Sequence, residues 1–317
     1  VKKLRLIPDD TNYSFMRLRR LTFPFSATLS VLSLLLFATL GLNYGVDFRG
    51  GSIIEIQSRS GPASISEIRT TLSRLSLGDV QVQQFGGPTD MLVRIEQQRG
   101  ANANDMEAAQ QAAVARIRDA LQATFEIRRV ETVGPQVSGE LIQAGILAVI
   151  LSIFAILVYL WFRFEWQFAI GAIIATLHDV VLTIGFFAVL GLEFNLSSVA
   201  AVLTIVGYSL NDTVVVYDRI RETLRRYKKM NLSELIDLAI NQTLGRTILT
   251  SVTTLIALIA LAIFGGEVVR SFTLAMVFGV VIGTYSSIFI AAPVLIFLNL
   301  RTDALAKPEE TKAKAST

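Results

Sequence analysis

Six stretches of the chain, 21–42, 141–162, 166–190, 196–217, 247–264 and 272–298, are nearly continuous in apolar residues. A helix of about 20 such residues crosses a bilayer core about 30 Å thick, and within lipid the helix satisfies its own backbone polar groups. The predicted fold class is therefore an α-helical polytopic membrane protein with six transmembrane helices. An apolar fraction of 52% against 17% charged points the same way and argues against a soluble chain. An even number of spans puts both termini on one side.

The placement of positive charge sets the orientation. All seven lysines lie in three short segments, with none between Leu4 and Tyr227. Those segments are the start (Lys2, Lys3, Arg5, Arg17, Arg19, Arg20), the connection after span four (Arg219, Arg221, Arg225, Arg226, Lys228, Lys229) and the tail (Arg301, Lys307, Lys312, Lys314). The positive-inside rule assigns all three to the cytoplasm. The opposite turns, 192–195 and 265–267, have only Arg270 nearby. The expected division is an N-terminal cytoplasmic segment 1–20, helix one 21–42, an exterior domain 43–140, helices two to six within 141–298 with a cytoplasmic loop 219–245, and a cytoplasmic tail 299–317. The run of apolar residues in span one exceeds a usual signal-peptide core, and Ala38-Thr39-Leu40 lacks a small-x-small cleavage pattern, so an uncleaved anchor is expected. The tail composition predicts disorder.

The net charge of +3 is on this reading an orientation code rather than the footprint of nucleic acid. The exterior part, 47–140, holds ten arginines against twelve acids, a balance of 10 − 12 = −2, so no nucleic-acid partner is expected. Zero cysteines exclude a disulfide scaffold, thiolate metal sites and thiol catalysis, and one histidine leaves little for an imidazole metal site. No cofactor, no metal and no enzymatic activity are expected.

Residues 52–58 alternate, with Ile54 and Ile56 against Glu55 and Gln57, as a half-buried strand does. The pattern continues as helix 64–77, strands 79–85 and 90–97, helix 104–124 and strand 125–132. Gly86-Gly87-Pro88-Thr89 supplies the turn between the middle strands, and Asn104 with Glu107 a capping-box start. The order βαββαβ predicts an α+β ferredoxin-like domain between helices one and two. In the loop 219–245, Leu232, Leu235, Ile236, Ala239 and Ile240 form one helical stripe, which predicts a surface helix resting on the membrane, on a partner or on its own bundle.

Ionisable residues inside spans cost about 2.5–3.5 kcal/mol on insertion scales and are therefore functional candidates. Span three carries His178 and Asp179, span four Asp212, and Arg246 stands at the entry of span five. By helix rise, Asp212 is roughly 10 Å inside Arg219 and Asp179 roughly 20 Å past Trp166, so their depths are expected to differ by roughly 10 Å. Arg246 reaches inward from the same side as Asp212. Thr204, Tyr208 and Asn211 crowd around Asp212, and Thr250, Thr253 and Thr254 follow Arg246 at helical spacing, which predicts a hydrated polar seam. Interhelical hydrogen bonding suffices to explain the threonines and Ser209. For Asp212 with Arg246 the favoured chemistry is proton coupling, because burial makes a carboxyl keep its proton and an approaching guanidinium favours release. The driving force is adequate, at about 2.3 kcal/mol for one charge across 100 mV and about 1.4 per pH unit. Gly279, Gly283 and Ser287 recur at four-residue spacing for close helix approach, and Pro293 marks a kink.

Three segments resemble signatures of a known family. Gly45-Val46-Asp47-Phe48-Arg49-Gly50-Gly51 is similar to the motif after the first span of the bacterial SecD/SecF family, within the resistance-nodulation-division superfamily. Val133-Gly134-Pro135-Gln136-Val137-Ser138-Gly139 resembles the signature before the second span, and 207–222, with Asn211-Asp212-Thr213-Val214-Val215-Val216, the SecF form of span four. Segments 245–251 and 283–289 add to the likeness, which runs along nearly the whole chain. The resemblance implies half of a superfamily-type bundle with a periplasmic domain, a SecD partner and work beside SecA and the SecYEG channel. It further implies YajC and YidC as neighbours, an unfolded preprotein as substrate and the bacterial inner membrane as location. It implies protons as coupling ion, with Asp212 and Arg246 carrying the coupling, and the separate rather than the fused form. A drug or lipid exporter would share the physical reading, as would a passive scaffold. An intramembrane aspartyl protease would need Asp179 and Asp212, or Asp218, to bring two carboxyls to about 3 Å.

Overall fold

A computed structural model describes residue 8, residues 11–266 and residues 269–300. Lys2, Lys3, Arg5, Glu267 and the tail from Arg301 onward, including its expected disorder, lie outside the described residues. The first span is a 3-10 turn, Phe15–Leu18, running into α1, Arg19–Leu40. Gly41, at φ 70°, ends it in a backbone conformation that side-chain-bearing residues avoid. There follow β1 (Asn43–Tyr44), α2 (Val46–Arg49), β2 (Gly51–Ser58), α3 (Ile65–Ser73), β3 (Val80–Gln84), β4 (Asp90–Ile95), α4 (Ala103–Leu121) and β5 (Phe125–Val133). The chain then re-enters the bundle as α5 (Pro135–Arg163), α6 (Trp166–Leu190), β6 (Glu193–Phe194), α7 (Leu196–Arg226) and α8 (Leu232–Phe264). Span six is α9 (Arg270–Ser286), a π turn (Ser287–Ala291) and α10 (Ala292–Phe297). Among the described residues, six helices are long and apolar enough to cross a membrane.

The sheet order is β3-β4-β2-β5, with every neighbouring pair antiparallel. With α3 and α4 on one face this is the expected ferredoxin-like arrangement. Ile54 and Ile56 of β2 stand opposite Val93 and Met91 of β4. They form one core with Ile68, Leu72, Ala113, Ile117 and Leu121 from the two helices. The alternation in β2 follows from burial on one face only. The start of α4 differs from expectation: the cap is Asn102, whose side chain accepts from the Asp105 backbone N–H at 3.0 Å. Asn104 is already inside the first turn, because Asn102 is as good a capping residue and stands two positions earlier.

The stretch 219–245 is not a separate loop with its own surface helix. Its first part continues α7 to Arg226 and its second opens α8 at Leu232, capped by Asn231. The predicted stripe is real: Leu235, Ile236, Ala239 and Ile240 are buried in a cluster with Met16, Ile220 and Leu224 of the same bundle. Asp237 and Asn241 on this face accept the backbone N–H groups of Met16 at 2.8 Å and Tyr13 at 2.9 Å.

The core of the bundle is α6, α7 and α9, where Phe168 and Tyr217 are fully buried and the Tyr217 hydroxyl donates to the Ala291 carbonyl at 3.0 Å. Pro293 has no N–H to donate back along the helix, and the π turn sits in the segment before it. Small residues let α9 press onto α7. A Cβ on Gly279 would overlap the Ile205 side chain, and one on Gly283 would meet the Ser209 Cβ at 3.0 Å. Gly279→Val is expected to lower stability by about 1–3 kcal/mol through overpacking. Thermal melting of the purified protein in detergent measures it; an unchanged midpoint would contradict this packing.

Candidate functional site

Two buried acids lie at the junction of α6, α7, α8 and α9. Asp212 of α7 is 6% exposed. Its Oδ1 accepts from the Thr247 hydroxyl of α8 and its Oδ2 from the Ser287 hydroxyl at the π turn, both at 2.8 Å. Asp179 of α6 is 0% exposed. It accepts from Ser209 of α7 at 2.5 Å and from Ser286 of α9 at 2.7 Å, while its other oxygen lies 3.0 Å from His178 Nδ1. Burying a carboxylate costs several kcal/mol, and hydroxyl bonds to a charged acceptor return about 1.5–3 kcal/mol each, so these donors hold the acids in place.

The geometry differs from the sequence reading in three respects. Asp179 and Asp212 are bonded to consecutive serines of one turn, and Ser209, which holds Asp179, is three residues before Asp212, an axial offset of about 4–5 Å. The expected offset of roughly 10 Å came from counting the two acids along different helices from different flanking residues, Arg219 and Trp166, whereas their shared serine turn measures it directly. Each carboxylate nevertheless has its own set of hydroxyl donors, and among the described residues no hydrogen bond joins the two acids as in a protease dyad. Secondly, no ion pair joins Asp212 and Arg246 among the described residues. Arg246 is exposed. Thirdly, the stripe of α8 that faces inward is Thr247 and Ser251, not Thr250, Thr253 and Thr254. Thr250 and Thr253 are exposed, and all three bond back to their own helix.

On α7, Tyr208 reaches Ser251 at 3.4 Å, and Ser251 shares a 2.7 Å bond with Thr284 of α9. Thr204 is exposed and bonded to the Ala200 carbonyl, and Asn211 is exposed with no side-chain hydrogen bond among the described residues. Thr204, Asn211, Arg246 and Thr250 thus form an outward polar face on α7 and α8. Thr247, Ser286 and Ser287 were the site residues missed from sequence. The four-residue step from Thr247 to Ser251 was legible, but the charge on Arg246 drew the stripe to the neighbouring face.

The opposite end of α7 is tied to the sheet domain. Asp47 Oδ2 accepts the Leu196 backbone N–H at 3.0 Å, satisfying a free donor in the first turn of α7. Asn195 and Ser198 close a capping box beside it. β1 pairs in parallel with β6, Phe48 stacks on Phe194, and Arg49 lies over the Tyr44 ring at 6.0 Å. Arg94 of β4 makes a 2.5 Å ion pair with Glu193. Gly50 and Gly51, at φ 71° and 114°, turn the chain from α2 into the sheet. The motif 47–51 is therefore a joint between the sheet domain and the helix that carries Asp212.

The family model described as "Protein export membrane protein SecD/SecF, C-terminal" matches residues 113–301, and that of the "SecD/SecF GG Motif" matches residues 35–61. The chain is 46% identical to protein translocase subunit SecF of Rickettsia rickettsii over 93% of its own length and 95% of that protein. It is also 46% identical to protein translocase subunit SecDF of Brucella abortus, over 98% of this chain but only 40% of that one. The crystal structure of SecDF from Thermus thermophilus superposes with a TM-score of 0.81 at 32% identity, covering 93% of this chain and 40% of that one.

Proposed function

This chain belongs to the SecD/SecF family of protein export membrane proteins, multi-pass proteins of the membrane, and from that membership we propose that it is the SecF-type subunit of a Sec translocase accessory complex that spends the proton gradient on preprotein translocation. Its expected partners are a SecD-type bundle and the SecYEG channel, with YajC and YidC as neighbours. The proposed location is the bacterial inner membrane, with both termini cytoplasmic and 43–140 periplasmic; the charge asymmetry supports this.

The observation that carries the mechanism is that α7 bears Asp212 in its buried polar junction and is capped by Asp47 of the exterior joint. An ionised Asp212 accepts from both Thr247 and Ser287. A protonated one carries an O–H that seeks an acceptor, and a hydroxyl that turns to accept it no longer donates to the acid. Loading and releasing a proton thus changes how α7 is held against α8 and α9, and the Asp47 cap passes that change to the sheet domain. The outward polar face with Arg246 supports a second bundle, because such groups are costly against lipid.

The function is tested in cells depleted of their own SecF. This chain, supplied with its partner, is expected to restore preprotein export; restored efflux of small molecules without export would favour an exporter instead. Arg246 is exposed and forms no ion pair with Asp212 among the described residues, so its charge rather than its planar fork is the property assigned to it: Arg246→Lys is expected to keep most export activity while Arg246→Gln loses about ten-fold. A lysine variant as weak as the glutamine one would show that the planar guanidinium is needed.

A further inference from the structure

The Asp212 mechanism leaves one buried titratable cluster unused, that of His178 and Asp179. Asp179 has three side-chain partners, His178, Ser209 and Ser286, and its backbone carbonyl also accepts from Thr183 at 2.7 Å. His178 is 8% exposed, and its Nε2 has no hydrogen-bond partner. With Nδ1–H donating to Asp179, a neutral imidazole leaves Nε2 as a bare buried acceptor, which disfavours that state. A proton taken up on the Nε2 lone pair turns the pair from net −1 into a neutral ion pair, and the same nitrogen releases it. Gluing three helices needs only amides and hydroxyls.

The other groups facing the cluster are few. From α9, the Tyr285 ring lies 6.3 Å from the imidazole, and its hydroxyl is 2.9 Å from Ser26 of α1. From α7 the nearest acid in sequence is Asp212, one turn past Ser209, and Arg246 of α8 is exposed. No lysine or arginine forms an ion pair with Asp179 among the described residues. Ser286 and Ser287 are adjacent yet bond different acids, because successive helix residues diverge by about 100°. They stand where the helix passes into its π turn, the kind of irregularity that recurs at functional sites.

We propose that His178 and Asp179 form a second protonation site, joined to Asp212 through the Ser286–Ser287 turn, so that protonation of one site rearranges the hydroxyls that hold the other. Its place in transport rests on the proton-coupling reading of Asp212; its own titration does not.

The test is difference infrared spectroscopy across a pH series, on the full chain with its partner bundle in proteoliposomes. A carboxylate band whose position changes with pH as the imidazole takes up its proton is expected; it is absent in Asp179→Asn, persists in Asp212→Asn and loses its pH dependence in His178→Gln. Ser286→Ala is expected to move the bands of both acids. If Asp212→Asn removes no band while Asp179→Asn does, the Asp212 reading fails and the second site stands. If Asp179→Asn, His178→Gln and Ser286→Ala all leave every titrating band in place, the cluster is fixed in one state and the proposal is overturned. Should Asp179→Asn fail to fold, the other two variants decide the matter.

Discussion

Asp212→Asn is expected to cut proton-gradient-driven preprotein export by about ten- to fifty-fold, while export driven without the gradient continues. The magnitude follows from the driving force: about 2.3 kcal/mol per charge per 100 mV corresponds to a factor of about fifty if it is lost from the rate-limiting step. The substitution is a clean one. Asparagine keeps the shape of aspartate, its carbonyl still accepts from one hydroxyl, and its amide donates to the other, since Thr247 and Ser287 can each act as donor or acceptor. The junction of α7, α8 and α9 should therefore stay packed and the melting temperature stay close to that of the unaltered protein. Export that remains gradient-dependent in the variant would defeat the proton-coupling role of Asp212.

The second large effect is on the sheet domain. Gly51→Ala is expected to destabilise it by about 2–4 kcal/mol, because two costs coincide. Gly51 has φ 114°, where a side chain adds about 1–3 kcal/mol of strain. A Cβ there would also collide with the Ile95 carbonyl and crowd Glu96 and Gln97, all backbone atoms at and just past the end of β4. Gly51 opens β2, the strand between β4 and β5, so it cannot shift without breaking the register Gly51↔Val133 and Ser52↔Ile95. Gly50→Ala meets chiefly the flexible end of Gln97 and is expected to cost less. Hydrogen exchange at β2 and β4 measures both. Equal effects of the two substitutions, or unchanged protection in Gly51→Ala, would contradict the account of this turn.

Much of this architecture was legible because membrane spans and two-sided strands are governed by composition and period. The six spans, the βαββαβ order and the alternation at Ile54 and Ile56 needed no knowledge of long-range contacts. The ends of elements were less legible. Asn102 and Asn104 are chemically equal caps, and only the packed helix chooses between them. Residues 219–245 read as a polar loop because their charges are conspicuous, whereas the buried side of α8, from Leu235 to Ile240, shows itself only against Met16 and Leu224. At the site, the acids were found by their cost in lipid. Their partners were not, because Thr247, Ser286 and Ser287 are common helix-packing residues that become specific only once α9 turns beside α6 and α7. Arg246 was expected to reach inward toward Asp212, and no sequence period could tell that its side chain stands exposed without an ion pair to that acid among the described residues.

The central claim, that Asp212 carries protons coupled to export, is tested most directly by proton flux. In proteoliposomes holding this chain, its SecD-type partner and the translocation channel, a pH-sensitive dye inside the vesicle reports proton movement while a preprotein is being translocated. Flux that rises with translocation in the unaltered chain and is absent in Asp212→Asn is the predicted result. Equal flux in the two proteins would contradict the account.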